Sequence, residues 1–179
     1  MKVRNMARLL GMAVGAGLLV AAVGCEDDAT TPQMEETALL SVIPQGGTTG
    51  VDPNGPFVLE FTHSMQSGME EYADVHEGDV EGPLVAGSWS WNTEFTKLTF
   101  TPVAPLKKLT QYVVHIGGGM VDEDGNPINY GLHGLGMGGQ WMTQQMHQGG
   151  QHGYGTGQGE GWTHPTNGSY GMVFIFTTA

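Results

Sequence analysis

One cysteine in 179 residues leaves no partner for an internal disulfide and excludes a four-thiolate zinc site. Cations are scarce too: 6 Lys and Arg stand against 18 Asp and Glu, a formal net charge of −12. Nucleic-acid phosphates are held by clustered Lys and Arg, so this balance excludes nucleic acid as a partner. Charged residues make up 13% and hydrophobic residues 39% of the chain, which fits neither a charge-driven disordered protein nor a polytopic membrane protein. From Ala38 onward there is also no sustained 3.6-residue apolar period. The length suits one domain of roughly 100 to 200 residues with appendages.

What is present begins with an address. Lys2, Arg4 and Arg8 precede an uncharged stretch from Leu9 to Gly24 rich in Ala, Gly, Leu and Val, the layout of a secretory signal peptide. That stretch falls short of the roughly 20 apolar residues of a stable membrane span. Cys25 followed by Glu26-Asp27-Asp28 ends it abruptly. Ala22-Val23-Gly24-Cys25 resembles the lipobox of bacterial lipoproteins. The resemblance implies that residues 1–24 are removed and that Cys25 is acylated on sulfur and becomes the first mature residue. Such a protein is held at a membrane of the cell envelope, on its periplasmic or cell-surface side, with each buried acyl CH₂ contributing about 0.8 kcal/mol. An ordinary secretory signal with a cysteine nearby is the alternative. Residues 25–37 read as an acidic tether without apolar periodicity. Loss of residues 1–24 would leave Lys97, Lys107 and Lys108 as the only Lys and Arg, a body repelled by anionic headgroups.

Residues 38–179 read as strands and turns. Short β-branched and aromatic runs recur between Gly, Pro, Asn and Asp: Leu39 to Ile43, Phe57 to Phe61, Tyr72 to His76, Leu84 to Trp91, Lys97 to Thr101, Gln111 to Ile116 and Met172 to Thr177. Phe57, Leu59 and Phe61 share one face of their strand, as do Leu98 and Phe100. About seven such strands suit an all-β fold, two antiparallel sheets packed as a sandwich. Trp89 and Trp91 share a face and are expected near the inter-sheet core, with carbohydrate stacking as the sharper alternative. Asp52-Pro53-Asn54-Gly55 is a turn sequence.

These residues resemble the bacterial Ig-like domain of the type found in SbsA S-layer proteins. The features run in order: Ser41-Val42-Ile43-Pro44 with Gly46-Gly47 and Gly50-Val51-Asp52-Pro53; Phe57 to Phe61 with Ser64-Met65; Leu98 to Pro102; Pro105-Leu106; Thr110 to Val114; Asp122 with Gly125-Asn126-Pro127; and Phe174 to Thr178. The resemblance implies an Ig-like antiparallel β-sandwich acting as a structural or interaction module rather than an enzyme. This chain departs from the pattern between Asn126 and the last strand, a stretch that is normally brief.

That departure is an insertion over residues 131–169, about 40 residues, where loops beyond about 15 are uncommon in compact domains. It carries His133, Met137, Met142, Met146, His147 and His152, together with Trp141 and Trp162, and a single formal charge at Glu160. Thioether sulfur and imidazole nitrogen without thiolate suit copper, above all Cu(I), better than calcium or magnesium. Met142 and Met146 would share a helical face if residues 140–148 formed a short helix. The competing reading is a flexible loop whose methionines and tryptophans pack on the sandwich or on a partner. Exposed Trp141, Trp162 or sandwich aromatics would instead suit a glycan or surface-layer partner.

Other constellations give less. Asp122-Glu123-Asp124-Gly125-Asn126 lacks the spacing of an EF-hand loop and reads as a turn in which Asp and Asn satisfy backbone donors. Glu70, Glu71, Asp74, Glu77, Asp79 and Glu81 form an acidic belt expected on an edge strand and its connections, and nothing selects a glycosidase pair among them. His63-Ser64 and His115 occur without a Gly-x-Ser-x-Gly elbow, and Gly117-Gly118-Gly119 leads into a turn, so no catalytic residue is assigned.

Overall fold

Phe57, Leu59 and Phe61 alternate with Val58 and Glu60, and the period of two sends the first set inward and the second outward. Repeated along the chain, that pattern builds two stacked sheets. The computed structural model describes residues 35–141, 162–163 and 170–179. Residues 1–34, which include the expected signal peptide, Cys25 and most of the expected tether, lie outside the described residues. The strands are β1 (Leu39–Ile43), β2 (Thr49–Val51), β3 (Phe57–Phe61), β4 (Ala73–Glu77), β5 (Gly87–Trp91), β6 (Lys97–Pro102), β7 (Gln111–Ile116), β8 (Gly139–Trp141), β9 (Trp162–Thr163) and β10 (Tyr170–Thr178). Each of the seven expected runs contributes a strand; β2, β8 and β9 are three residues or shorter.

One sheet has the order β1-β3-β6-β5; the other runs β2-β10-β7-β4, with β8 and β9 also paired to β10. Pairing is antiparallel except between β2 and β10. The first sheet sends Leu39, Val42, Phe57, Leu59, Phe61, Leu98 and Phe100 inward; the second meets them with Val75, Tyr112, Val114, Ile116, Met172, Phe174 and Phe176. Phe57 lies 4.8 Å from Phe176 and 5.9 Å from Phe100, centroid to centroid, tying the layers through aromatic contacts worth about 0.5–1.5 kcal/mol each beyond their buried area. Trp89 packs at 5.0 Å on Phe100, and Trp91 at 5.6 Å on Phe61. Both tryptophans are half-buried against the core, as their shared face leads one to expect.

Two crossings between the sheets shape the sides of the sandwich. The chain leaves β1 through a cis Ile43–Pro44 peptide and joins the other sheet as β2. On the other side, β4 is the edge strand that the acidic belt leads one to expect, but its outward backbone is covered. Glu77 N–H donates to Pro83 O at 2.9 Å, and Val85 N–H donates to Val75 O at 2.8 Å. Residues 84–86, expected to begin β5, therefore lie along β4, and the same segment then crosses to pair with β6. Proline at 83 loses nothing there, because only its carbonyl is used.

The sandwich starts earlier than the tether reading places it. Thr37 is 3% exposed; its Oγ1 donates to Asp122 Oδ2 and its carbonyl accepts from Asn129 N–H at 2.7 Å. Glu36 Oε2 accepts from Asn129 Nδ2 at 2.6 Å.

Candidate functional site

The insertion does not begin as a loop. Tyr130 enters the core and its hydroxyl donates to Gly117 O at 2.8 Å. Burial, helped by the nearby Tyr72, pushes the Tyr130 phenol well above its ordinary pKa. A 3-10 turn, Gly134–Met137, follows, and its last residue drops into the core. Gly46 N–H then donates to Met137 O at 2.9 Å. Gly134 and Gly139 lie so close to the Met172 sulfur that a Cβ at either would collide with it. Glycine therefore lets this stretch lie flat on β10 instead of loosening it.

β8 is the result. Gly139, Gln140 and Trp141 pair with Phe174, Val173 and Met172, and Trp141 packs on the core. A helix starting at Gln140 is excluded, because Gln140 and Trp141 are strand residues. The far end of the insertion returns as β9, with Trp162 opposite Gly171 and Thr163 opposite Tyr170. Segment 142–161 thus leaves the sheet beside Met172 and comes back beside Gly171, neighbouring residues of one strand.

The expected metal ligands divide accordingly. His133 is exposed and precedes the turn, whereas Met137 is buried with its thioether among core side chains, so the two do not share a face. Met142, Met146, His147 and His152 lie outside the described residues. Among the described residues, no group of three or more His, Cys, Asp or Glu is placed to hold a metal ion.

One feature of the six-stranded sheet escapes an alternation argument. The centre of its outward face is also buried: Val113, His115 and Val173 are each no more than 1% exposed. The register aligns Asp74, His115, Val173 and Gln140 in one cross-strand row and His76, Val113 and Ile175 in the next. The turn after β4 folds over this face. His76 Nδ1 meets Gly82 O at 2.9 Å, and Val80 packs on Val113 and Val173. His76 Nε2 is buried with no hydrogen-bond partner among the described residues. Beside the turn, Asp79, Val80, Glu81, Val113, Val173 and Ile175 line a groove of about 190 Å³. The sequence signal was the uninterrupted run Tyr112-Val113-Val114-His115-Ile116, since a strand buried on both faces does not alternate.

The acidic residues divide into turn-formers and surface pairs. Burial pushes the Asp122 carboxyl upward. Hydrogen bonds from Thr37 Oγ1 (2.5 Å), Asn126 Nδ2 (3.0 Å) and the Asn126 and Asp124 amides (2.8 and 3.0 Å) outweigh it and hold the group below its ordinary pKa. This is the turn the sequence suggests, and those donors take both Asp122 oxygens. Glu70 accepts from Trp91 Nε1 at 2.7 Å, and Glu77 pairs with Lys107 at 2.7 Å. Gly119 faces the Tyr72 ring with no room for a Cβ, so this glycine of the run after β7 is a packing device.

Solved structures similar to the chain include the S-layer protein SbsC (15% identity over 52% of this chain and 12% of that one, TM-score 0.38). The methionine-rich copper resistance protein PcoC from Escherichia coli is similar at 21% identity over 52% of this chain and 90% of that one, TM-score 0.42. CopC from Methylosinus trichosporium OB3b is similar at 18% over 51% and 84%, TM-score 0.39. The match to SbsC spans a small part of that protein's length. Comparison with curated proteins gives no match. The bacterial Ig-like domain family matches residues 28–133, ending where the insertion begins and leaving the closing strand β10 beyond the match. With more than half its length matched and two stacked β-sheets, the chain belongs to the bacterial Ig-like domain family.

Proposed function

We propose that this chain is a lipid-anchored protein of the bacterial cell envelope, tethered through Cys25, whose non-catalytic Ig-like module presents the 142–161 segment to an envelope partner. The observation that carries the reading is the footing of that segment: the strands that flank it, β8 and β9, pair with adjacent residues of β10. A segment so closed has its ends brought together by the sheet, and contacts made along it need not supply that closure entropy. Loops positioned by a rigid scaffold are where contacts concentrate. The anchor rests on the sequence around Cys25, and no helix among the described residues is long and apolar enough to cross a membrane.

Two experiments test the halves separately. In a bacterial host fed radiolabelled palmitate, the full chain should take up label and sediment with membranes, while Cys25→Ala should do neither; equal membrane association of the variant would remove the lipid anchor. Cross-linking in the same cells should yield a discrete adduct that disappears when residues 142–161 are replaced by a short Gly-Asn turn. An unchanged adduct would move the contact surface to the sandwich.

A second reading, copper binding, is favoured by the same footing, because Met142, Met146, His147 and His152 all lie on the closed segment. Titration of the full chain with Cu(I) under reducing conditions should show binding at least tenfold tighter than in a variant with these four residues changed to Ala. Equal affinities would end that reading. A glycan partner through the tryptophans has less support, since Trp89, Trp91 and Trp141 are half-buried against the core.

A further inference from the structure

The short connection Pro83–Ala86 joins two border strands, one in each sheet, and their outward backbone groups have different fates. Those of β4 are taken by Pro83 and Val85. β5 ends its sheet, with β6 on one side and no strand on the other. Its pairing with β6 is bracketed by Val103 N–H to Ala86 O and Asn92 N–H to Lys97 O, both 2.9 Å. Bond direction alternates along an antiparallel strand, so Ser88 and Ser90 bond to β6 while Gly87, Trp89 and Trp91 turn N–H and C=O away from it. Among the described residues these outward groups have no backbone partner.

Nothing on β5 discourages an incoming strand. Gly-Ser-Trp-Ser-Trp has no charge and no proline, and its register with β6 is free of bulges, although charge, proline and bulges are the usual protections of an edge. Gly87, Ser88 and Ser90 are exposed, and the two tryptophan rings are turned onto Phe100 and Phe61. The charge around this edge is negative. Glu70 reaches Trp91, Glu71 lies in the same turn, and Glu94 caps the β5–β6 hairpin through Asn92. Lys97 on β6 is paired with Glu60 at 3.5 Å. A second copy of this chain would bring the same carboxylates against them.

We infer that β5 is a docking edge for an extended, Lys- or Arg-bearing segment of a partner protein, which adds to the four-stranded sheet by pairing its backbone with Gly87, Trp89 and Trp91. The inference is independent of the lipid anchor and of segment 142–161, and it goes beyond the reading above by naming a second contact surface and the chemistry of its occupant.

The test uses the full chain and a ten-residue peptide of alternating Lys and Val as probe, read by amide hydrogen exchange. The expected result is at least tenfold slower exchange at Gly87, Trp89 and Trp91. A Glu/Val peptide, a peptide N-methylated on its pairing face, and the Ser88→Lys/Ser90→Lys variant should each weaken binding at least tenfold. Unaltered exchange at these amides with millimolar Lys/Val peptide overturns the inference, as does equal binding of the N-methylated peptide. Concentration-dependent dimerisation abolished by Ser88→Lys/Ser90→Lys overturns it in favour of a second copy. Deleting residues 142–161 should leave peptide binding intact.

Discussion

The two sheets bury similar faces toward each other and differ in what they turn outward. The four-stranded sheet shows Ser41, Val58, Glu60, Ser88, Ser90, Thr99 and Thr101, all exposed or half-exposed. The six-stranded sheet turns out Val113, His115 and Val173, all buried, at the centre of a face whose margins carry the exposed Gln111 and Gln140, and the strands flanking segment 142–161 pair within this sheet. One sheet is a solvated wall with an unclaimed edge; the other is a covered floor. The strands that flank segment 142–161 thus sit on the sheet that packs on both faces at its centre.

The sharpest way to break this comparison is to put one charge on each outward face. Val173→Asp should lower stability by about 3 kcal/mol or more, because an unpaired carboxylate would be buried. Thr99→Asp, at a half-exposed site of the other sheet, should change stability by no more than about 0.5 kcal/mol. Urea unfolding compares the two, and equal midpoints would show that the outward faces do not differ. This contrast was only half legible in the sequence. Phe57 to Phe61 and Leu98 to Phe100 announce a one-sided strand by strict alternation, and the sandwich follows from them. Tyr112 to Ile116 carries the two-sided signal in a run whose one polar member is His115. β8 and β9 were not legible, because two or three residues supply too little periodicity to read. Gly134, Gly139 and Gly119 look like flexibility in sequence and act as close contacts in the fold, since the reason for each glycine is a neighbour far away in the chain.

Asp122→Asn should come next in size. The wild-type carboxylate accepts hydrogen bonds from Thr37, Asn126 and Asp124, and the variant should lose about 1.5–3 kcal/mol at neutral pH. Its folded-state pKa lies below the unfolded value, so the carboxylate's contribution is present above the unfolded pKa and disappears as pH falls through the folded one. The stability gap between wild type and variant should therefore shrink in acid, and a gap constant from pH 7 to pH 2 would contradict this assignment.

Tyr130→Phe should cost less than Asp122→Asn, about 0.5–1.5 kcal/mol, from loss of the hydroxyl bond to Gly117 at the threshold of the insertion. The raised phenol pKa carries the opposite sign: its contribution is present below the unfolded pKa and is lost as pH rises toward the folded value. Ultraviolet absorbance should show a tyrosine component that appears only as the protein unfolds in alkali, and this component should be smaller in the Phe variant. Simultaneous, reversible ionisation of all tyrosines in the folded protein would mean that Tyr130 is not buried.

The account depends most on the claim that the insertion is seated as strands rather than hung as a free loop. Hydrogen exchange on the full chain addresses it directly. The Gln140 amide, which the alternation of bonds turns toward Val173, should exchange within about tenfold of the Val173 amide and far more slowly than the exposed turn at residues 52–55. Exchange of the Gln140 amide at the rate of that turn would contradict the claim.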